Sequence, residues 1–250
     1  MKKLFVIGIL AIPTLGWSYE ESDKVIFDSL SYYKDNYFIT GDKSSQIKSQ
    51  LSFKYQIFNG QPLFLGYSQL MFWNAYDTDN SSPMWDMNFN PEVFYKKEST
   101  WGFVKITPFE HKSNGAPSGP SDRDWDRFGL TLGSSFDFWR LQLFYSLKGY
   151  YIYYTNDKNS DIRDYLGCTE ARLGLKFNED KGIFFDREEL SVRLISGFNG
   201  LGAREYSLKF RPLIPDFSPF IYFQIWEGYG EALLNYNVYN KAYRVGLIFQ

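Results

Sequence analysis

The chain has 250 residues, a formal net charge of -2 and a single histidine. The near-neutral charge gives no basic surface for a nucleic-acid partner, and the lone Cys168 excludes a disulfide framework. Aromatic residues make up 20% of the chain while mean hydropathy is -0.36 and no run beyond the N-terminus approaches the ~18 apolar residues of a membrane-crossing helix, so a helical membrane protein is excluded.

In chain order, the first element is a leader. Lys2 and Lys3 precede an apolar run from Leu4 to Leu15, and Gly16-Trp17-Ser18 offers small residues at the specificity positions of a cleavage site. This pattern predicts a secretory signal peptide over residues 1–18, cut before Tyr19, with a single domain over 19–250. An exported, aromatic-rich, cysteine-poor chain of low hydropathy is expected to be a bacterial outer-membrane β-barrel.

The segments that follow alternate with period two, as strands between lipid and lumen must. Near Asn36 the strands begin. In "QLSFKYQIF", Leu51, Phe53, Tyr55 and Ile57 share one face, and Gln50, Ser52, Lys54 and Gln56 the other. The next strand carries Leu63, Leu65, Tyr67, Met71 and Trp73 on its lipid side, and Gln69 falls among them; an amide on such a stripe needs a partner. "WGFVKITPFEHKS" reads as a strand whose middle alternates poorly around Lys105 and Pro108, while "DRFGLTLGSSFDF" puts Asp126, Phe128, Leu130 and Leu132 on one face. "EARLGLKF" and "EYSLKFR" repeat the pattern, and "AYRVGLIFQ" closes the chain with Tyr243, Val245, Leu247 and Phe249 on one side. The expectation is an all-β, transmembrane antiparallel barrel of about twelve strands. Short turns are expected at Asn59–Gln61, Glu98–Thr100 and Phe138-Trp139, and long extracellular loops at 76–88, 114–124, 155–164 and 230–241.

His111 and Ser113 are i and i+2 on one strand, so they stand side by side on one face. If the following strand pairs antiparallel with theirs, Asp126 falls beside His111. A carboxylate on a lipid-facing side is costly without a partner, and an imidazole is such a partner. Ser113 would then be nucleophile, His111 base, and Asp126 the group that orients the ring.

His111-Lys112-Ser113-Asn114-Gly115, followed by Ser121-Asp122-Arg123-Asp124-Trp125-Asp126-Arg127, resembles the catalytic signature of the outer-membrane phospholipase A family. Further similarity lies in Gly66–Tyr76, Ser81–Phe94 and Gly228–Asn237, so the resemblance covers most of the mature chain. It implies a calcium-dependent serine hydrolase of glycerophospholipid acyl esters, sn-1 and sn-2, on the outer wall of a twelve-stranded barrel near the outer-leaflet headgroups. The resemblance also implies an active homodimer and a resting monomer. It assigns the Gly115 amide to the oxyanion and the Ala116 carbonyl to calcium, with a loop side chain that alignment leaves open between Ser121 and Asp122. Ser82 of a second subunit completes the set, and Gln69 lies in the dimer interface. Family members often carry Asn where this chain has Asp126. A passive porin or adhesin, which needs no such triad, and a lipid A deacylase are the competing readings.

Overall fold

The computed structural model describes residues 25–27, 29–177, 186–212, 214 and 219–249, so the leader expected over 1–18 lies outside the described residues. Fourteen strands form one antiparallel sheet. β1 (Val25–Phe27) and β2 (Leu30–Tyr32) make a small hairpin, earlier in the chain than the expected start near Asn36. β2 lies along β4 (Ile47–Gln56) in line with β3 (Asn36–Gly41), so the two together act as one interrupted barrel strand. The remaining strands are β5 (Leu63–Trp73), β6 (Met84–Ser99), β7 (Gly102–Ser113), β8 (Asp124–Phe138), β9 (Leu141–Thr155), β10 (Thr169–Phe177), β11 (Asp186–Ser196), β12 (Gly202–Arg211), β13 (Phe220–Gly228) and β14 (Asn240–Phe249). Each pairs with its chain neighbour, and β14 returns to β3. The result is a closed twelve-stranded barrel from β3 to β14, with no open edge to attract a foreign strand.

The alternation sorts the faces as expected. Leu51, Phe53 and Tyr55 are exposed on the outside while Ser52 and Lys54 are buried within; Leu173, Tyr206, Leu208, Tyr243 and Val245 likewise face out. The lumen is a set of paired charges. Glu92 is held by Lys34 at 3.0 Å and Lys105 at 2.7 Å. Glu231 is held by Lys48 at 3.1 Å and Arg244 at 2.6 Å. Lys209 reaches Asp35 at 2.7 Å and Glu189 at 3.1 Å. Inside a barrel wall with little water, an unpaired charge is costly, and these pairings are what make a charged interior tolerable.

Where the strands end differs in places from the expectation. β6 starts at Met84, so 84–88 belong to a strand and the loop is 74–83. The turn after β6 is centred on Thr100-Trp101. The loop after β9 runs on to Cys168 and contains a short helix, α1 (Ile162–Leu166). Five residues carry too few turns to show a helical period, which is why it reads as a plain polar loop in the sequence. Ile162 of α1 packs with Leu233 and Tyr236 of the loop after β13, and with Trp125, Tyr150 and Ile152 of the wall. This apolar cluster packs the two loops against the wall at the Trp125 end of the barrel. The Tyr236 hydroxyl donates to Asp161, and burial together with that carboxylate raises its pKa well above the ordinary phenol value.

Candidate active site

The site begins with a bulge in β7. Lys105 and Thr107 point into the barrel, and strict alternation would send His111 and Ser113 there as well. It does not, because β7 holds one residue more than its neighbours between Thr107 and Glu110. Thr107 pairs with Gly129 and Glu110 with Arg127, and on the other side Tyr95 pairs with Ile106 and Val93 with Phe109. Pro108 and Phe109 therefore both lie on the outside. A proline has no N–H to give a ladder, so a bulge is one of the few places it fits inside a sheet. The parity switch brings Glu110 and Lys112 inward and turns His111 and Ser113 to the outer wall. The poor alternation around Lys105 and Pro108 in the sequence is the trace of this bulge.

Across from His111 in register stands Asp126 of β8. The His111 Nδ1–Asp126 Oδ1 distance is 2.7 Å, with the two side chains 31% and 22% exposed. The structure thus brings together the pair expected from the strand pairing. Ser113 sits on the same face, paired with Phe89 of β6 and Asp124 of β8. Among the described residues no hydrogen bond joins its hydroxyl to the imidazole; such bonds are commonly long in substrate-free sites and tighten with substrate.

The inner side of the wall holds this geometry, and its members escaped the sequence reading. Glu110, next to His111, is 2% exposed and accepts from Arg127 at 2.7 and 2.8 Å and from Lys148 at 2.8 Å. Arg127, next to Asp126, is stacked on Trp125 and Tyr150 at 4.5 and 4.3 Å. Asn90 donates to the His111 carbonyl at 2.6 Å. Each strand bearing a site residue is therefore clamped one residue away from it. Only the bulged register reveals these partners, so no linear motif could have found them.

Beyond Ser113 the loop 114–123 is pinned by Asn114. Its amide oxygen accepts from the Arg123 N–H at 3.1 Å and the Ala116 N–H at 3.4 Å, and its NH2 donates to the Ser121 carbonyl at 2.8 Å. Gly115 has φ +63°, and a Cβ there would lie 2.7 Å from the Phe89 ring. Glycine is required twice over, by backbone conformation and by space. Asp122 accepts from Asn156 at 3.1 Å, while the Ser121 side chain is exposed at the rim.

Ser82 and Gln69 lie on the β5–β6 side. Ser82 is in the loop 74–83, where its hydroxyl donates to the Ala75 carbonyl at 3.1 Å. Gln69 faces outward, as expected, and is partly satisfied within its own chain: it accepts from Tyr67 at 3.3 Å and donates to Met87 Sδ at 2.9 Å. A thioether is a weak acceptor, so the amide keeps unused hydrogen-bonding capacity toward the membrane. No group of three or more His, Cys, Asp or Glu side chains gathers as a metal cage among the described residues.

A closed barrel with an apolar outer wall and a charge-paired lumen is an integral outer-membrane protein. A profile of the family described as Phospholipase A1 matches residues 16–249, and the chain belongs to that family. It is 26% identical over 218 residues to phospholipase A1 of Escherichia coli (strain K12) and of Salmonella typhimurium, covering 82% of this chain and 70% of each relative. Its fold matches that of the Salmonella typhi outer membrane phospholipase, solved as a dimer with bound calcium, with a TM-score of 0.71 and 24% identity over 91% of this chain and 94% of that one. The Escherichia coli outer membrane phospholipase A matches with a TM-score of 0.70 and 24% identity, over 88% of this chain and 94% of that one.

Proposed function

We propose that this chain is a calcium-dependent serine phospholipase that cleaves acyl esters of glycerophospholipids, sn-1 and sn-2, in the outer leaflet. One observation carries the reading: an imidazole–carboxylate pair at 2.7 Å on the outer wall, beside a serine on the same face. A passive pore has no use for such a pair on its lipid-facing wall.

Ser113 Oγ attacks the acyl carbonyl as His111 Nε2 takes its proton. Asp126 accepts from Nδ1–H, holds that tautomer and stabilises the imidazolium. The Gly115 N–H donates to the oxyanion. His111 then protonates the departing lysophospholipid alkoxide, and a water activated by the same imidazole hydrolyses the acyl-serine.

Calcium fits the donors at the rim in kind, since the Ala116 carbonyl, Ser121 and Asp122 are all oxygen ligands. Three oxygens from one chain fall short of the roughly six to eight that calcium takes. Ser82 of a second subunit would add a further oxygen, and Gln69, with spare hydrogen-bonding capacity, would face the same interface. On this reading a homodimer completes the site and the monomer rests. When bound, the cation supplies positive potential near the oxyanion.

The experiment is fatty-acid release from mixed micelles with and without chelator. Chelation is expected to abolish release reversibly while the barrel keeps its folded mobility on unheated gels; full turnover at saturating chelator would remove the metal from the reading. In the same assay Asp126→Ala is expected to lower kcat on the order of 10⁴-fold and Asp126→Asn less, because members of the family it resembles often carry Asn at this position, where an amide oxygen accepts from Nδ1–H. Equal losses in the two variants would mean that Asp126 does not orient the ring. Gly115→Ala is expected to strain the loop by about 1–2 kcal/mol and lower kcat about 100-fold with the barrel intact. An unchanged kcat would mean that the loop takes the methyl group without displacing the residue 115 N–H.

A further inference from the structure

A second bulge flanks the site on its other side. Asp126 pairs with Tyr154 but Arg127 pairs with Ile152, so β9 holds an extra residue at Tyr153. Tyr150 and Ile152 point into the barrel. Tyr151, Tyr153 and Tyr154 all point out, at 58%, 43% and 48% exposure, where regular alternation would have turned one of the last two inward. Phe128 stands between the rings, 5.8 Å from Tyr151 and 6.5 Å from Tyr153. An aromatic girdle at the membrane interface is general in such barrels, but it is built from alternating residues and does not call for two tyrosines in succession.

Carboxylates stand beside these rings. Asp126 stands in register beside Tyr154, and Asp124 and Asp157 are near enough to act on its hydroxyl as well. The nearby Arg123 is tied by its guanidinium to the Pro120 and Asp122 carbonyls at 2.7 and 2.9 Å, and Lys158 is exposed on the loop next to Asp157. One oxygen of Asp124 has no hydrogen-bond partner among the described residues, and neither do the Tyr153 and Tyr154 hydroxyls. π-faces backed by carboxylates are the chemistry that receives an ammonium or quaternary ammonium group. His111 of β7 is in register with Tyr154 of β9 through Asp126, and Ser113 lies two residues further along β7, so Ser113 and Tyr154 are roughly 12 Å apart between backbones, a distance that their side chains and a headgroup between them can span.

We propose that Tyr153 and Tyr154 form a subsite for the ammonium of a zwitterionic phospholipid headgroup, beside the ester that Ser113 attacks. The inference rests on the phospholipase reading and adds headgroup selectivity to it. The lipid lies along the outer wall with its acyl chains toward Phe128 and Leu130, its scissile ester at β7 and its amine over β9.

The test compares kcat/KM of the full-length protein on phosphatidylcholine and on phosphatidylglycerol of identical acyl chains in mixed micelles. The expected choline-to-glycerol ratio falls roughly five- to tenfold in Tyr153→Leu/Tyr154→Leu. It is restored in large part by Tyr153→Phe/Tyr154→Trp, which keeps the π-faces and removes the hydroxyls. A ratio unchanged in the leucine variant overturns the subsite while leaving the phospholipase reading standing. A ratio lost equally in the aromatic variant overturns the ring-face account. Wild-type protein inactive on both lipids overturns the phospholipase reading, and the subsite with it.

Discussion

Ser113→Ala is expected to abolish fatty-acid release, with a loss of at least about 10⁴-fold in kcat, in a barrel that folds and inserts normally. The separation of the two effects follows from where Ser113 sits. It is at the extracellular end of β7, half-exposed, and its hydroxyl holds nothing else in place among the described residues. Removing that oxygen leaves no buried group unpaired, so the stability cost is small. The chemistry, in contrast, loses its nucleophile. His111→Ala should match it in activity, because members of a triad act as a unit and their losses do not add. Activity is read by titration of released fatty acid, and folding by the shift between heated and unheated protein on a gel. A folded Ser113→Ala protein that still turns over would remove Ser113 as nucleophile.

The second large effect is expected on the other side of the same strand. Glu110→Ala should cost about 3–5 kcal/mol of stability, because it strands two buried cations whose anion has gone. Arg127 and Lys148 both end on this carboxylate, at 2.7 and 2.8 Å, and the carboxylate side chain is only 3% exposed. Glu110→Gln, which keeps an acceptor but not the charge, should cost less. Urea unfolding in detergent micelles measures both. A shift below about 1 kcal/mol for Glu110→Ala would mean that water or a neighbouring carboxylate takes over, and that the clamp behind His111 is weaker than its geometry implies. Because Glu110 neighbours His111 and Arg127 neighbours Asp126, the variant's residual folded population should also hydrolyse lipid more slowly than wild type.

The route from sequence to site shows which part of the molecule is written locally. Asp126 was placed on the lipid-facing side by the regular alternation of Phe128, Leu130 and Leu132, and the structure keeps that alternation. His111 could not be placed in the same way, since the strand around Pro108 breaks the pattern; its face followed only from the need of Asp126 for a partner. The clamp of Glu110, Arg127, Lys148 and Asn90 was not legible at all. These residues read individually as ordinary polar positions, and what makes them a clamp is the register that sets β6, β7, β8 and β9 side by side. Asn114 stood within the quoted motif, yet its three hydrogen bonds across the loop became visible only with the loop closed.

By itself the sequence determined the barrel, its strand number and its inside and outside, because a strand between lipid and lumen must alternate with period two and that period is a property of neighbouring residues. It also determined the residue types of the proposed triad and of the loop beside it. The tertiary structure alone decided which wall His111 and Ser113 occupy, which charge meets which in the lumen, and that two tyrosines in succession face the membrane beside Asp126. All three depend on single extra residues in β7 and β9, or on the register those residues impose. A one-residue slip exchanges the two faces of a strand, and only the pairing with adjacent strands chooses between the alternatives.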